Sequence, residues 1–225
     1  MKLNGLLLLL SVGLLMACSD DDNDTDTTPI EKSARYRITV TGNWTGINHP
    51  TDYPANAHFS PVIGMAHKAG ATIFSENELA SDGIEVMAET GATSPLDDEI
   101  RDRIDAGEAN LLIKEGGLAT GDGEISFELT INRDFPLITL VSMLAPSPDW
   151  FIAAKNINLL ENDKFITEVT IDAVAYDSGT DSGSTFTSPN ADTNPAENIS
   201  KITSAPLGNG NEVTPPLVRI QFSKL

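Results

Sequence analysis

Apolar and polar residues alternate with period two along several stretches of the chain, as in strands that bury one face and wet the other. R-Y-R-I-T-V-T at residues 35–41 puts Tyr36, Ile38 and Val40 on one face. I-S-F-E-L-T-I-N at 125–132 does the same with Ile125, Phe127, Leu129 and Ile131. Residues 137–143, 150–160, 165–174 and 217–222 read as further strands, separated by clusters of Gly, Asn, Asp and Pro. One segment has a helical signature. Ser94 offers an N-cap and Pro95 a first helical position, Leu96, Ile100 and Ile104 recur every four residues, and Asp97, Asp98 and Glu99 sit where the helix dipole favours negative charge. Many strands with one or two short helices predict a mainly β chain, an antiparallel β-sandwich.

The N-terminal segment follows a different rule. Lys2 precedes an apolar run that ends in L-M-A-C at residues 15–18. The run is shorter than the roughly 20 apolar residues a membrane helix needs, and its layout is that of a secretory leader. L-M-A-C resembles the lipobox of bacterial lipoproteins, in which the cysteine is lipidated and becomes the first residue. Cys18 is the only cysteine of the chain, which excludes a disulfide within it. S-D-D-D-N-D-T-D-T-T-P follows. It lacks the glycine and glutamate of an EF-hand loop, and its charge and scarcity of apolar residues predict a disordered tether. Acidic residues behind such a cysteine resemble surface-export signals of Gram-negative lipoproteins, and Ser19 fits outer-membrane retention. The expected organisation is a leader at 1–17, a tether at 18–33 and a single domain at 34–225. A formal net charge of -19 argues against nucleic acid as a partner, and leaves the lipid anchor as the expected contact with membrane.

Residues 176–183 read Y-D-S-G-T-D-S-G, with Asp177 and Asp181 in a loop of small polar residues. Residues 147–177 read as a long hairpin centred between Asn162 and Asp163, which sets Asp149 opposite Tyr176 and beside Asp177. Three carboxylates, Asp149, Asp177 and Asp181, then converge at one end of the sandwich. They would repel one another without a cation, and burying one unpaired is costly. Calcium, which accepts carboxylate, carbonyl and water oxygens in flexible geometry, suits such a loop better than magnesium. Asp, Ser and Gly also build ordinary turns, so the spacing leaves both readings open.

At this point the chain resembles the spondin domain, the N-terminal adhesion domain of F-spondin and mindin. The resemblance rests on Y-R-I-T-V-T-G-N-W (36–44), H-P-T-D-Y-P-A-N-A-H-F-S-P-V-I-G-M-A-H (49–67), A-S-D-G-I-E-V-M-A-E-T-G (80–91), S-P-D-W-F (147–151) and Y-D-S-G-T-D-S-G-S-T-F-T-S-P-N (176–190). It implies a calcium-binding β-sandwich with Asp149, Asp177 and Asp181 as the metal ligands. Two departures stand out. Leu160 occupies a position where animal members carry a cysteine, and Lys155 one where they carry an acid, so that an ammonium near the ion could weaken its binding.

Other constellations compete. His49, His58 and His67 could supply a catalytic zinc site, although no H-E-x-x-H is present and Pro50, Pro54 and Pro61 mark the region as loop. His58 with Ser60 lacks the G-x-S-x-G elbow of a serine hydrolase. Glu76, Glu78, Glu85 and Glu89 could form a glycosidase pair, as in any acidic chain. Trp44 and Trp150 could stack on sugars or lie in the core. The expected function is that of a non-enzymatic, calcium-binding lipoprotein on the outer membrane or cell surface of a Gram-negative bacterium, engaged in adhesion or in binding an extracellular protein or glycan. The alternatives are a carbohydrate-binding lipoprotein of a polysaccharide uptake system and a zinc-dependent hydrolase.

Overall fold

Alternation along the chain becomes alternation of burial in the structure. The computed structural model describes residues 30–225; the expected leader, Cys18 and the tether up to residue 29 lie outside the described residues. In chain order the elements are β1 (Ser33–Gly42), β2 (His58–Phe59), β3 (Ile63–His67), α1 (Asp82–Thr90), α2 (Leu96–Asp105), β4 (Ala109–Lys114), β5 (Glu124–Asn132), β6 (Leu137–Ala145), β7 (Trp150–Asn158), β8 (Leu160–Glu161), β9 (Lys164–Phe165), β10 (Glu168–Asp172), β11 (Val174–Asp177), β12 (Ser200–Lys201) and β13 (Val218–Lys224). Among the described residues no helix is long and apolar enough to cross a membrane.

Two antiparallel sheets carry the fold. One has the order β10-β13-β1-β5; the other runs β12-β11-β7-β6-β3-β4, with β2 also paired to β6. Tyr36, Ile38 and Val40 of β1 are fully buried and meet Ile138, Leu140 and Ile152 of the larger sheet in one core. The larger sheet is covered on its other face as well. There Met65, Val141, Phe151 and Tyr176 pack against Ile84 and Met87 of α1, Leu96 and Ile100 of α2, and Phe74. Burial on both faces explains why β6, L-I-T-L-V-S-M-L-A, is a continuous apolar run while β1 alternates. The sandwich is therefore as expected, with a helical layer added to one side.

Three local expectations change. Pro95 itself occupies the N-cap of α2 without a side-chain cap, so Ser94 does not cap it. Residues 63–67, expected as loop from the neighbouring prolines, form the fully buried strand β3, because Pro61 ends before the strand begins. The long hairpin is also interrupted. Its turn lies at Asn162 and Asp163, both at positive φ, with Leu160 opposite Phe165. Beyond it β10 pairs with β13 in the smaller sheet, and only after Ala173 does β11 return to β7. That detour between sheets shifts the register, so that Trp150 faces Asp177 and Phe151 faces Tyr176.

Candidate metal centre

Asp149 lies where S-P-D-W enters β7. The turn is closed by the Ser147 hydroxyl, which accepts the Trp150 N–H at 3.1 Å. The side chain of Asp149 is fully buried. Its Oδ2 accepts the N–H groups of Thr180 at 2.8 Å and Asp181 at 3.1 Å and the Ser178 hydroxyl at 3.0 Å. Its Oδ1 is equally buried and has no hydrogen-bond partner. Burial pushes the Asp149 carboxyl above its ordinary range, with the Asp181 charge adding to it, although the three donors oppose the shift.

Asp177, the last residue of β11, opens the loop that wraps this carboxylate. Its oxygens accept the Gly179 N–H at 2.8 Å and the Trp150 indole N–H at 3.1 Å. Burial, and next the Asp149 charge, raise its pKa to about 6. Gly179 has φ of 75°, and a Cβ there would meet the Glu197 carbonyl at 2.4 Å, so the turn needs glycine on both counts. Asp181 turns its Oδ1 onto the Gly183 N–H at 2.6 Å and its Oδ2 onto the Ala191 N–H at 2.9 Å. Phe186 then inserts between Trp44 and Trp150, with ring centroids 5.4 and 5.5 Å away, and fastens the loop to the core.

The three aspartates thus share one end of the sandwich. Among the described residues, however, no group of three or more His, Cys, Asp or Glu side chains is preassembled as a metal cluster. Asp177 and Asp181 are held by their own loops and face Asp149 electrostatically rather than as a closed ring. The fit to a hard cation rests on Asp149 Oδ1, a desolvated carboxylate oxygen without a donor, in a neighbourhood of other carboxylate and hydroxyl oxygens. None of the ion pairs among the described residues involves Asp149, Asp177 or Asp181. Lys155 does not intrude either. Its ammonium lies 4.4 Å from the centre of the Phe74 ring, and the charges that act on it are those of Glu76, Glu78 and Lys201.

A fourth acid belongs to this neighbourhood. Glu89, in the last turn of α1, has its pKa raised chiefly by burial, opposed by a hydrogen bond from Thr180 and reinforced by the charges of Glu85, Asp149 and Asp181. Sequence reasoning placed Glu89 only among scattered glutamates. The signal was a helix bracketed by Ser81, whose side chain accepts the Ile84 N–H, and Gly91 at φ of 73°, with Ile84, Met87 and Ala88 buried on one face.

The histidines are not brought together. His58 faces Ala145 and His67 faces Leu137, at opposite ends of β6. His67 is fully buried with both ring nitrogens engaged, Nδ1 with the Lys68 carbonyl at 2.8 Å and Nε2 with the Thr139 hydroxyl at 2.9 Å. His49 is buried and has an unpartnered Nε2. The Ser60 hydroxyl lies 3.3 Å from that of Ser142 and accepts the Met143 N–H, while His58 bonds Asn56. Neither the zinc site nor a serine–histidine pair is formed. Trp44 and Trp150 are buried, so neither is a platform for sugars.

Comparison with known proteins agrees with this architecture. The chain matches the family model Spondin_N over residues 34–212. It is 33% identical over 207 residues to spondin-2 of Homo sapiens, covering 85% of this chain and 62% of that protein. It is 33% identical over 178 residues to spondin-1 of Mus musculus, covering 76% of this chain and 22% of that protein. The chain therefore spans less than two thirds of the length of these relatives.

Proposed function

Because the chain belongs to the Spondin_N family, we propose that it is a non-enzymatic extracellular binding module whose loops are set by calcium, with a partner that is protein or glycan. The unpartnered, buried Oδ1 of Asp149 carries the reading. Asp149, Asp177 and Asp181 would hold the ion, with Glu89 beside them. Bound calcium supplies positive charge to carboxylates that burial otherwise disfavours. Asp149 meanwhile gathers the N–H groups of residues 180 and 181, and Phe186 ties the following loop to both tryptophans. The ion would then fix the surface made by residues 178–190 instead of taking part in a reaction.

The anchor belongs to the same proposal. Lipidation of Cys18 behind an acidic tether would hold the domain outside a Gram-negative outer membrane. Metabolic labelling with a radioactive fatty acid should mark the wild-type chain and leave Cys18→Ala unlabelled; label on both would refute the anchor.

The binding reading is tested by probing immobilised extracellular-matrix proteins and a glycan array with the chain, in calcium and in chelator. Binding that disappears in chelator and in Asp181→Asn supports it. Binding indifferent to both would separate the surface from the ion.

A further inference from the structure

A cleft of about 350 Å³ lies between the acidic loop and the segment that follows β12, within the size range of small-ligand pockets. Trp150, Asp177 and Ser200 are cross-strand neighbours on β7, β11 and β12, so their side chains form one row on one face of the sheet and floor the cleft. The Trp150 indole N–H, donating to Asp177 Oδ2 at 3.1 Å, marks that row. The next row, Phe151, Tyr176 and Lys201, points to the opposite face, and there the Lys201 ammonium meets Glu76 at 3.3 Å. Among the described residues that line the cleft, only Asp177 then brings a charge to it. Each of its oxygens accepts one protein N–H, from Gly179 and from Trp150, and keeps a second lone pair. Many hydroxyls of the neighbouring loop are spent, Ser178 on Asp149, Ser182 on the Ala191 carbonyl and Ser188 on Thr185. Those of Ser184, Ser200, Thr203 and Ser204, all lining the cleft, have no such partner among the described residues. The wall behind them is fixed, because the Thr203 and Ser204 carbonyls accept the N–H groups of Gly210 and Gly208, both at 2.7 Å.

We propose that this cleft is a glycan subsite that holds an uncharged sugar by its hydroxyls, with Asp177 accepting from the ligand and Ser184, Ser200, Thr203 and Ser204 exchanging hydrogen bonds with it. Protein and sugar hydroxyls suit one another because each is donor and acceptor at once. The free lone pairs of Asp177 take a further O–H in a charge-assisted bond. An anionic ligand would meet Asp177 with no cation to balance it, on a chain of formal net charge -19. An ammonium would find a single carboxylate already shared between two donors. An apolar side chain would find few apolar atoms beside those of Ile202 and Ala205. Trp150 stays buried, so the sugar is gripped by polar groups and not stacked on a ring. The site rests on the reading of the chain as an extracellular binding module, and it names a neutral glycan as the ligand class.

Heteronuclear NMR of the isotope-labelled full chain in millimolar calcium tests this. The two tryptophans give two indole N–H signals. That of Trp150 reports on the cleft, and that of Trp44, which does not line it, is the reference. The chain is titrated with the methyl glycosides of glucose, galactose, mannose, xylose and N-acetylglucosamine, and with glucuronate. The expected result is a saturable shift of the Trp150 signal with at least one neutral sugar, at a dissociation constant of about 1–10 mM, and a response to glucuronate at least about fivefold weaker. Ser200→Tyr, which fills the cleft from an exposed position, should weaken binding about tenfold or more, and Thr203→Val, which removes one hydroxyl, about fivefold. Unchanged unfolding midpoints in calcium would show that both variants fold. A Trp150 signal that answers to no neutral sugar, equal binding by wild type and both variants, or a preference for glucuronate would each overturn the proposal. The rise in midpoint with calcium, read on the same samples, keeps the two claims apart: a rise without any sugar response overturns the cleft and leaves the calcium reading of the loop intact.

Discussion

Asp149 concentrates the cost of the loop in one carboxylate: the N–H groups of Thr180 and Asp181 and the hydroxyls of Ser178 and Thr180 serve Oδ2, and no donor serves Oδ1. Asp149→Asn removes the charge and retains an acceptor for those donors. In chelator its unfolding midpoint should match or exceed that of wild type, because a desolvated charge is gone. In calcium it should fall below wild type, because a ligand is gone. Loss of the same size in both conditions would mean that the aspartate is purely structural. A second residue-scale prediction concerns pH. Burial lowers the pKa of His67 below 6.5, against the hydrogen bond to Lys68 that favours its charged form. A group depressed on folding contributes stability above its unfolded pKa and loses it as pH falls through the folded one. Between about pH 7 and pH 5, wild type should lose more stability than His67→Gln; parallel denaturant midpoints for the two would contradict that assignment. The aspartates were legible from their spacing and motifs, but the unequal service of the Asp149 oxygens depends on which way backbone N–H groups point.

At the scale of elements, α1 and the glycine turn set the positions of the acids. Ser81 caps α1, and Glu99 of α2 accepts the Gly83 N–H and the Ser81 hydroxyl, both at 2.7 Å, so the two helices share one capping arrangement. Ser81→Ala should cost about 1 kcal/mol in urea unfolding. Gly179→Ala should cost more, roughly 2 kcal/mol or above, because the side chain meets both an unfavourable φ and the Glu197 carbonyl; a neutral result would exclude the turn described here. Strands β1 and β5 could be read from alternation because one side of their sheet faces water. β3 was hidden by adjacent prolines, and α1 by the absence of a sustained run of strong helix formers. The passage from β10 to β11 at Ala173 was illegible for another reason. The same alternating pattern continues while the chain exchanges one sheet for the other, and nothing local marks the exchange.

At the scale of the whole domain the described residues form two main sheets and the small β8-β9 pair, a helical layer on the larger sheet, and an acidic loop cluster where α1, β7 and β11 meet. The sandwich was legible because it follows from one-sided burial. The helical layer was legible only in part: α2 could be read from the spacing of Leu96, Ile100 and Ile104, but a continuous apolar run such as β6 does not say what covers its second face. Calcium binding is the central claim at this scale, and the most direct test is thermal unfolding in chelator and in 10 mM calcium. For a dissociation constant of about 10⁻⁴ M, within the range of extracellular calcium modules, the ion should add about 2.7 kcal/mol. In a chain of this size that raises the midpoint by roughly 5–10 °C. The rise should be largely lost in Asp177→Asn and Asp181→Asn. A wild-type midpoint that does not move with calcium, or a rise preserved in both variants, would contradict the account.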